Sequence, residues 1–170
     1  LGDDANVMAE NMGLDSRLSF AEPNFIAHAP EANPRGSSRW GGLDPAPFTV
    51  QYAPDLIDLP QALVISRGAG SVVAVLDTGA QLDHPALAAS FTLARYDFVD
   101  NDNVPEDVFS LVDSNGNGLI DEAAGHGTHV AGIIHLVAPD AKIMPLRVLD
   151  SNGEGDIFML AEAITYAIRN

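Results

Sequence analysis

The feature that most constrains the fold is an apolar run, residues 71–76, that ends abruptly in Asp77, Thr78 and Gly79. A short, continuous aliphatic run of this kind is typical of a strand that is buried on both faces in a parallel sheet. The carboxyl ends of such strands are where ligands and catalytic groups collect in α/β proteins. We therefore predict a buried strand whose terminal carboxylate, Asp77, lies at a site.

The rest of the chain alternates between strand-like and helix-like segments. Residues 142–149 are predicted to form a strand, and apolar side chains recur at helical spacing after Asp156, which can cap that last helix. Further predicted elements are a helix near residues 5–12, a short helix or turn at 56–63 and a strand within 94–99. Strand, helix, strand and helix in succession predict an α/β fold with a parallel sheet flanked by helices.

A second unusual stretch, residues 125–132, combines two histidines with three glycines at the start of a predicted helix. His126 and His129 are three positions apart, so they share a face of that helix. Each glycine inside a helix costs about 1 kcal/mol relative to alanine. A purely structural helix has little use for such a composition, so the stretch indicates a functional site.

Several kinds of chemistry are compatible with these residues. A buried carboxylate that orients an imidazole is two thirds of a Ser-His-Asp triad. Zinc could be held by His126, His129 and His135, but Gly127 stands where a zincin helix carries its glutamate. Asp-Thr-Gly also occurs in aspartic proteases, which pair two such carboxylates, whereas this chain has a single copy. The remaining alternative is a calcium-binding α/β module without catalytic activity.

Residues 73–79, the pair His84-Pro85 and residues 125–132 together resemble the subtilisin-type serine peptidase family, and the resemblance extends over residues 51–170. It implies a subtilisin-like three-layer fold, here truncated, and an enzyme that hydrolyses peptide bonds in protein or peptide substrates. In this family the triad follows the chain order Asp, His, Ser. The resemblance makes Asp77 the triad aspartate and His126 the triad histidine, with His129 in a structural role beneath the site.

The same resemblance assigns a substrate edge and predicts what the chain lacks. Gly153, Glu154 and Gly155 would form an edge to which the substrate adds as an extra strand, with Glu154 facing it. No Gly-Thr-Ser nucleophile motif occurs in the 170 residues, and the oxyanion-hole side chain also comes later in the family. We therefore expect an N-terminal portion of a longer enzyme that is inactive alone.

The first fifty residues suggest a separate role. Residues 17–29 resemble the last strand of the inhibitory propeptide that precedes subtilisin-like domains, and residues 30–50 are rich in Gly, Pro, Ser and Arg, as linkers are. We predict that residues 1–29 are the tail of the protein's own propeptide, that maturation cleaves within the linker, and that residues 51–170 begin the peptidase domain.

An acidic loop before His126 predicts a structural calcium ion. Its sequence from residue 113 matches the calcium-loop pattern at positions 1, 3, 5, 6 and 9, with Ala124 in place of the closing glutamate at position 12. Glu122 could substitute for that glutamate. The predicted ligands are Asp113, Asn115, Asn117, Leu119, Asp121 and Glu122.

Charge and composition limit the partners. The formal net charge is −16 and Lys142 is the single lysine, which argues against nucleic acid and anionic membrane surfaces as partners. No cysteine is present, so thiol catalysis and cysteine-ligated metals are excluded. No apolar run approaches the roughly 20 residues that span a bilayer. The acidic composition and the family resemblance favour a secreted, extracellular protein.

Overall fold

The computed structural model describes residues 4–28 and 52–170, so the predicted linker at residues 30–50 lies outside the described residues. The elements in chain order are α1 (Ala5–Gly13), β1 (Ile26–His28), α2 (Ala53–Leu56), α3 (Leu59–Ile65), β2 (Val72–Asp77), a 3₁₀ turn (Ala88–Ser90), β3 (Tyr96–Asp97), α4 (His126–Val137), β4 (Lys142–Arg147), β5 (Glu154–Asp156) and α5 (Ile157–Arg169). Within this part of the chain, no helix has the length and apolar character needed to cross a membrane.

The main sheet has three parallel strands with β4 in the centre, β2 on one side and β3 on the other. The register of β2 on β4 runs from Val72 opposite Lys142 to Asp77 opposite Arg147. Helix α4 lies between β2 and β4 in the chain, as the crossover between parallel strands requires. The predicted parallel sheet is confirmed, and Asp77 is the last residue of its strand.

The sheet carries a helix on each face, because side chains along a strand alternate between the two faces. Val75 and Ile143 pack with Ala131 of α4 on one face. Met144 and Leu146 pack with Ala163 of α5 on the other face. The predicted three-layer arrangement is thus present. The buried side of α5 differs from the predicted one, because Ala163 is buried with Tyr166 and Ala167 beside it, whereas the periodic isoleucines of the helix are exposed.

Three predicted elements differ in extent. The segment near residues 56–63 forms two short helices, because Asp58 between them adopts a left-handed backbone with φ of 51°. Strand β3 ends at Asp97, whose carboxylate accepts hydrogen bonds from the amides of Val99 and Asp100, both at 2.9 Å, and so turns the chain. Strand β4 ends at Arg147, two residues earlier than expected.

A buried ion pair fastens the loop after β3 to the carboxyl end of the sheet. Arg147 Nη1 donates to Asp97 Oδ2 at 2.8 Å and to a carboxylate oxygen of Asp100. The Arg147 side chain is 6% exposed and that of Asp97 only 2%. Removing one partner of such a pair leaves an uncompensated buried charge. The pair therefore holds the start of the loop that runs on towards the histidine helix.

Candidate active site

Asp77 and His126 are in direct contact. His126 Nδ1 lies 2.8 Å from Asp77 Oδ1 and 3.0 Å from Oδ2, and the two side chains are 13% and 11% exposed. The backbone amide of Thr78 donates to Asp77 Oδ1 at 2.7 Å. A carboxylate placed this way fixes the imidazole tautomer with its proton on Nδ1, which leaves Nε2 as the nitrogen that can accept a proton.

The end of β2 also supports the first turn of α4. The N-cap of α4 is Gly125, which has a φ of 88° and no side chain to cap the helix. The Gly127 amide donates instead to Thr78 Oγ1 at 3.0 Å. A Cβ on Gly127 would lie 2.1 Å from the Gly79 carbonyl oxygen. This glycine is required because the helix backbone sits directly on the turn that follows Asp77.

Asp107 is a positioning residue that the sequence analysis missed. Its Oδ1 accepts from the Gly125 amide at 2.8 Å and from Thr78 Oγ1 at 3.2 Å. Its Oδ2 accepts from the amide and the hydroxyl of Thr128, at 3.1 and 2.7 Å. A carboxylate at a helix N-terminus also interacts favourably with the helix dipole. The one sequence signal was Gly125 itself, since a helix that begins at glycine needs an acceptor from elsewhere.

We expect Asp107→Asn to lower kcat of the full-length protein about 10- to 100-fold, with a smaller change in KM. The amide would present a donor to at least one of the groups that now donate to the carboxylate, and a misplaced catalytic group of this kind is costly. The measurement is steady-state kinetics on a peptide substrate beside Asp83→Asn, an exposed carboxylate near the site. Equal kcat values for the two variants would contradict the positioning role.

Glu106, next to Asp107, should make stability depend on pH. Burial raises the pKa of its carboxyl group, and the nearby charges of Asp83 and Asp107 act in the same direction, while the hydrogen bond from the Leu82 amide lowers it. A raised folded-state pKa contributes stability below the unfolded pKa, and that contribution is lost as the pH rises through the folded pKa.

Glu106→Gln keeps the acceptor for the Leu82 amide and stays neutral. Its melting temperature should therefore increase relative to that of the parent as the pH rises from 4 to 7. Thermal scans of full-length protein test this, with the exposed Glu162→Gln as the control. A difference that is constant across this range, or that shrinks as the pH rises, would contradict it.

The other histidines do not form a metal site. His129 is exposed on α4 and does not lie beneath the site as expected. Partial desolvation of the ring and the neighbouring His126 lower the pKa of His129. The His135 ring contacts Ser90 Oγ at 3.0 Å. Among the described residues, no three or more His, Asp or Glu side chains form a cluster that could hold a metal, so zinc is not supported.

The predicted substrate edge is a strand that already has a partner. β5 pairs antiparallel with β1, with Ala27 opposite Gly155 and His28 opposite Glu154. Gly155 also meets a requirement of the chain's own packing, and the role of residues 153–155 in substrate binding stays a prediction. A Cβ on Gly155 would lie 2.1 Å from the Val148 carbonyl oxygen, and Gly153 has a φ of 79° in the preceding turn.

The acidic loop brings together most of the predicted calcium ligands. Asn115 Nδ2 and Asn117 Nδ2 both donate to Glu122 Oε1, at 3.1 and 2.5 Å. The Asp113 carboxylate accepts from the amides of Asn117 and Gly118, at 3.2 and 2.9 Å. The Asp121 carboxylate forms its hydrogen bonds at the start of the loop and not with these residues.

The Asp121 carboxylate accepts instead from the amides of Ser110 and Leu111, at 2.9 and 3.0 Å, and from the Ser110 hydroxyl. Asp121 thereby holds the start of the loop, and calcium binding by the loop stays a prediction. The hydrogen bonds from Ser151 and Ser110 lower its pKa against the effect of burial, the largest single contribution, which raises it.

Comparison with known proteins places these features in a family. Residues 68–170, more than half of the chain, match the model of the Subtilase family. Thermitase of Thermoactinomyces vulgaris is 41% identical over 73% of this chain and 42% of its own length. Halolysin of Haloferax mediterranei is 32% identical over 94% of this chain and 34% of its own length.

A solved structure also resembles the described part of this chain. The crystal structure of a lanthipeptide protease superposes with a TM-score of 0.57 at 31% identity, over 76% of this chain and 35% of that protein. The chain thus spans less than half the length of the relatives it matches here. With its parallel sheet, its matched residues and its relatives in agreement, this chain belongs to the subtilase family.

Proposed function

We propose that the protein containing this chain is a serine endopeptidase whose triad aspartate and histidine are Asp77 and His126. The observation that carries the proposal is the 2.8 Å contact between His126 Nδ1 and Asp77 Oδ1 at the carboxyl end of β2. The aspartic-protease alternative has no such support, because in the described residues the partner of Asp77 is an imidazole and not a second carboxylate.

In this mechanism His126 Nε2 takes the proton from a serine hydroxyl as that oxygen attacks the peptide carbonyl, and then gives the proton to the leaving amine. Asp77 keeps the ring in the required tautomer and stabilises the imidazolium that forms. The proposal takes the serine and the side-chain donor of the oxyanion hole to lie outside these 170 residues, because the chain spans less than half the length of the relatives it matches. General-base catalysis of this kind contributes about 10²–10⁴-fold to the rate.

The test is covalent labelling of the full-length protein with a serine-directed phosphonylating reagent. We expect loss of peptidase activity and an adduct on one downstream serine, with labelling strongly reduced in His126→Ala. A transition-state peptide aimed at carboxylate dyads should have no effect. Inhibition by that peptide without labelling would favour the aspartic protease, and neither labelling nor activity would favour the non-catalytic module.

We also propose that residues 1–29 belong to an inhibitory propeptide that occupies the substrate edge. Two kinds of contact support this. β1 pairs with β5 along Ile26–His28, and the first amides of α5 are also satisfied from this segment. The Ile157 amide donates to the Phe25 carbonyl oxygen and the Phe158 amide to Asn24 Oδ1, both at 3.1 Å. A substrate that added to β5 as an extra strand would need the same hydrogen-bonding edge.

A peptide of residues 17–28, added to the matured enzyme, should therefore inhibit competitively, with a raised apparent KM and unchanged kcat. A scrambled peptide of the same composition is the control. Inhibition that lowers kcat without changing KM would contradict a shared edge. Secretion, the location predicted from the sequence, is part of the same proposal and is supported only by the propeptide-like segment and the acidic composition.

A further inference from the structure

The side chain of Asn152 is fully buried in the turn before β5, and both of its amide hydrogens are used. Its Nδ2 donates to the Val112 carbonyl oxygen at 2.7 Å and to Ser114 Oγ at 2.8 Å, and its Oδ1 accepts from the Asp121 amide at 2.8 Å. All three partners belong to the loop that leads into the histidine helix. Because breaking these bonds would leave buried polar groups unpaired, Asn152 fixes the turn to that loop.

Ala123 connects the same turn to the histidine. Its amide donates to the Ser151 carbonyl oxygen and its carbonyl oxygen accepts from the His126 amide, both at 3.0 Å. Ala123 is fully buried, and the buried Ser151 hydroxyl donates to Ser110 Oγ at 2.7 Å. A single residue thus lies between the turn and the first residue of α4. A shift of the turn relative to the loop would therefore change the distance between the β5 edge and His126.

The strand side of the turn is connected to Asp77. The Asp77 carbonyl oxygen accepts from the amides of Val148 and Leu149, at 2.9 and 3.2 Å. A Cβ on Gly155 would lie 2.1 Å from the Val148 carbonyl oxygen, so the backbone of β5 packs directly against this segment. Both members of the Asp77–His126 pair are therefore connected to the β5 edge, by separate routes.

Asp150 makes the turn itself rigid. Its Oδ1 accepts from the amides of Asn152 and Glu154, both at 2.9 Å, and its amide donates to the Glu154 carbonyl oxygen at 2.8 Å. Its Oδ2 accepts from Ser114 Oγ at 2.7 Å, so the hydroxyl that accepts from Asn152 also holds Asp150. The position of Asn152 in the loop therefore determines where β5 begins.

We propose that Asn152 is a positioning residue that sets the β5 edge at the correct distance from His126 and so favours long peptide substrates. The inference rests on the proposed peptidase function, with the substrate added to β5 as an extra strand. A substrate held along this edge presents its scissile carbonyl correctly only if the edge and the histidine keep their spacing. A misplacement of about 1 Å can cost roughly 10²-fold in rate. A short ester that does not reach β5 is less sensitive to that spacing.

Substrate length separates this role from a general loss of structure. In the matured enzyme, Asn152→Ala should lower kcat/KM about tenfold more on a peptide amide long enough to pair along β5 than on a single-residue N-acyl ester. Asn103→Ala, at an exposed asparagine, is the control and should keep the parent's ratio of the two values. Equal losses on the two substrates in folded Asn152→Ala would overturn the proposal.

Ser114→Ala provides a milder variant if Asn152→Ala does not fold. It removes the donor to Asp150 and one acceptor of Asn152, while the bonds of Asn152 to Val112 and Asp121 remain. The same bias against the long peptide is expected, with a smaller size. A Ser114→Ala enzyme with the parent's ratio, in the absence of a folded Asn152→Ala protein, would overturn the proposal.

Hydrogen exchange tests the positioning without catalysis. The amides of Ala123 and Glu154, which donate within this network, should exchange about tenfold faster in full-length Asn152→Ala than in Asn103→Ala, with the amides of β4 as the reference for global stability. Equal exchange in the two variants would overturn the positioning role. A parent protein without peptidase activity would refute the proposed function instead, and exchange at these two amides would still decide whether Asn152 fixes the turn.

Discussion

Asp77→Asn in the matured enzyme should lower kcat by about 10⁴-fold with little change in KM. An asparagine amide fits the same space, but its NH₂ group would meet the Nδ1 side of His126 and favour the tautomer whose proton is on Nε2. That nitrogen must be unprotonated to accept the serine proton. The fold should tolerate the change, because the Thr78 amide can still donate to the remaining oxygen of residue 77.

Steady-state kinetics on a peptide substrate measure this effect, with Asp83→Asn as the matched control at an exposed position. A second check is the phosphonylating reagent, which should label the downstream serine far more slowly in Asp77→Asn than in Asp83→Asn. A loss of less than tenfold in kcat would mean that the contact between Asp77 and His126 does not orient the catalytic base.

Gly127→Ala should abolish activity and destabilise the fold by about 3 kcal/mol or more, the upper part of the range for overpacking. The added Cβ would lie 2.1 Å from the Gly79 carbonyl oxygen and 3.1 Å from Asp77 Cβ. The first obstacle is backbone, so no rotamer change relieves it, and α4 must move away from the end of β2. His126 would move with the helix.

The melting temperature should fall by roughly 6–12 °C in a variant that carries alanine at the downstream serine and therefore does not digest itself. Gly13→Ala is the control, since a Cβ on Gly13 meets nothing within 4 Å. A Gly127→Ala protein with the same melting temperature and activity as the parent would contradict this prediction. It would show that α4 can move away from β2 without loss of stability.

The parts of the site that could be predicted from the sequence are those with local signals. The aliphatic run before Asp77 and the glycines around His126 indicate the packing at their own positions. Burial of a strand and close approach of two backbones restrict which residue types can occupy those positions. Their contact followed from topology, since the carboxyl end of a parallel strand and the next helix N-terminus lie at the same edge of the sheet.

The residues that were missed or misassigned depend on distant parts of the chain. Asp107 supports a helix whose amides lie 18 and 21 residues away, so its role depends on the path of the loop. Asp121 fits the spacing of a calcium ligand, yet the structure commits it to Ser110, while Asn152 accepts from its amide. Spacing along a loop specifies which oxygens are available and does not specify which way they face.

The acidic loop is fastened at both ends, by Asp107 at the histidine helix and by Asp121 at Ser110. Residues 113–120 lie between these anchors, and Ser114 is hydrogen-bonded to Asn152 and Asp150 and not to Asp77 or His126. Segments of other lengths and binding preferences could therefore be grafted between the anchors, which offers protein engineers a place to install a sensor for a chosen ion close to the Asp77–His126 pair.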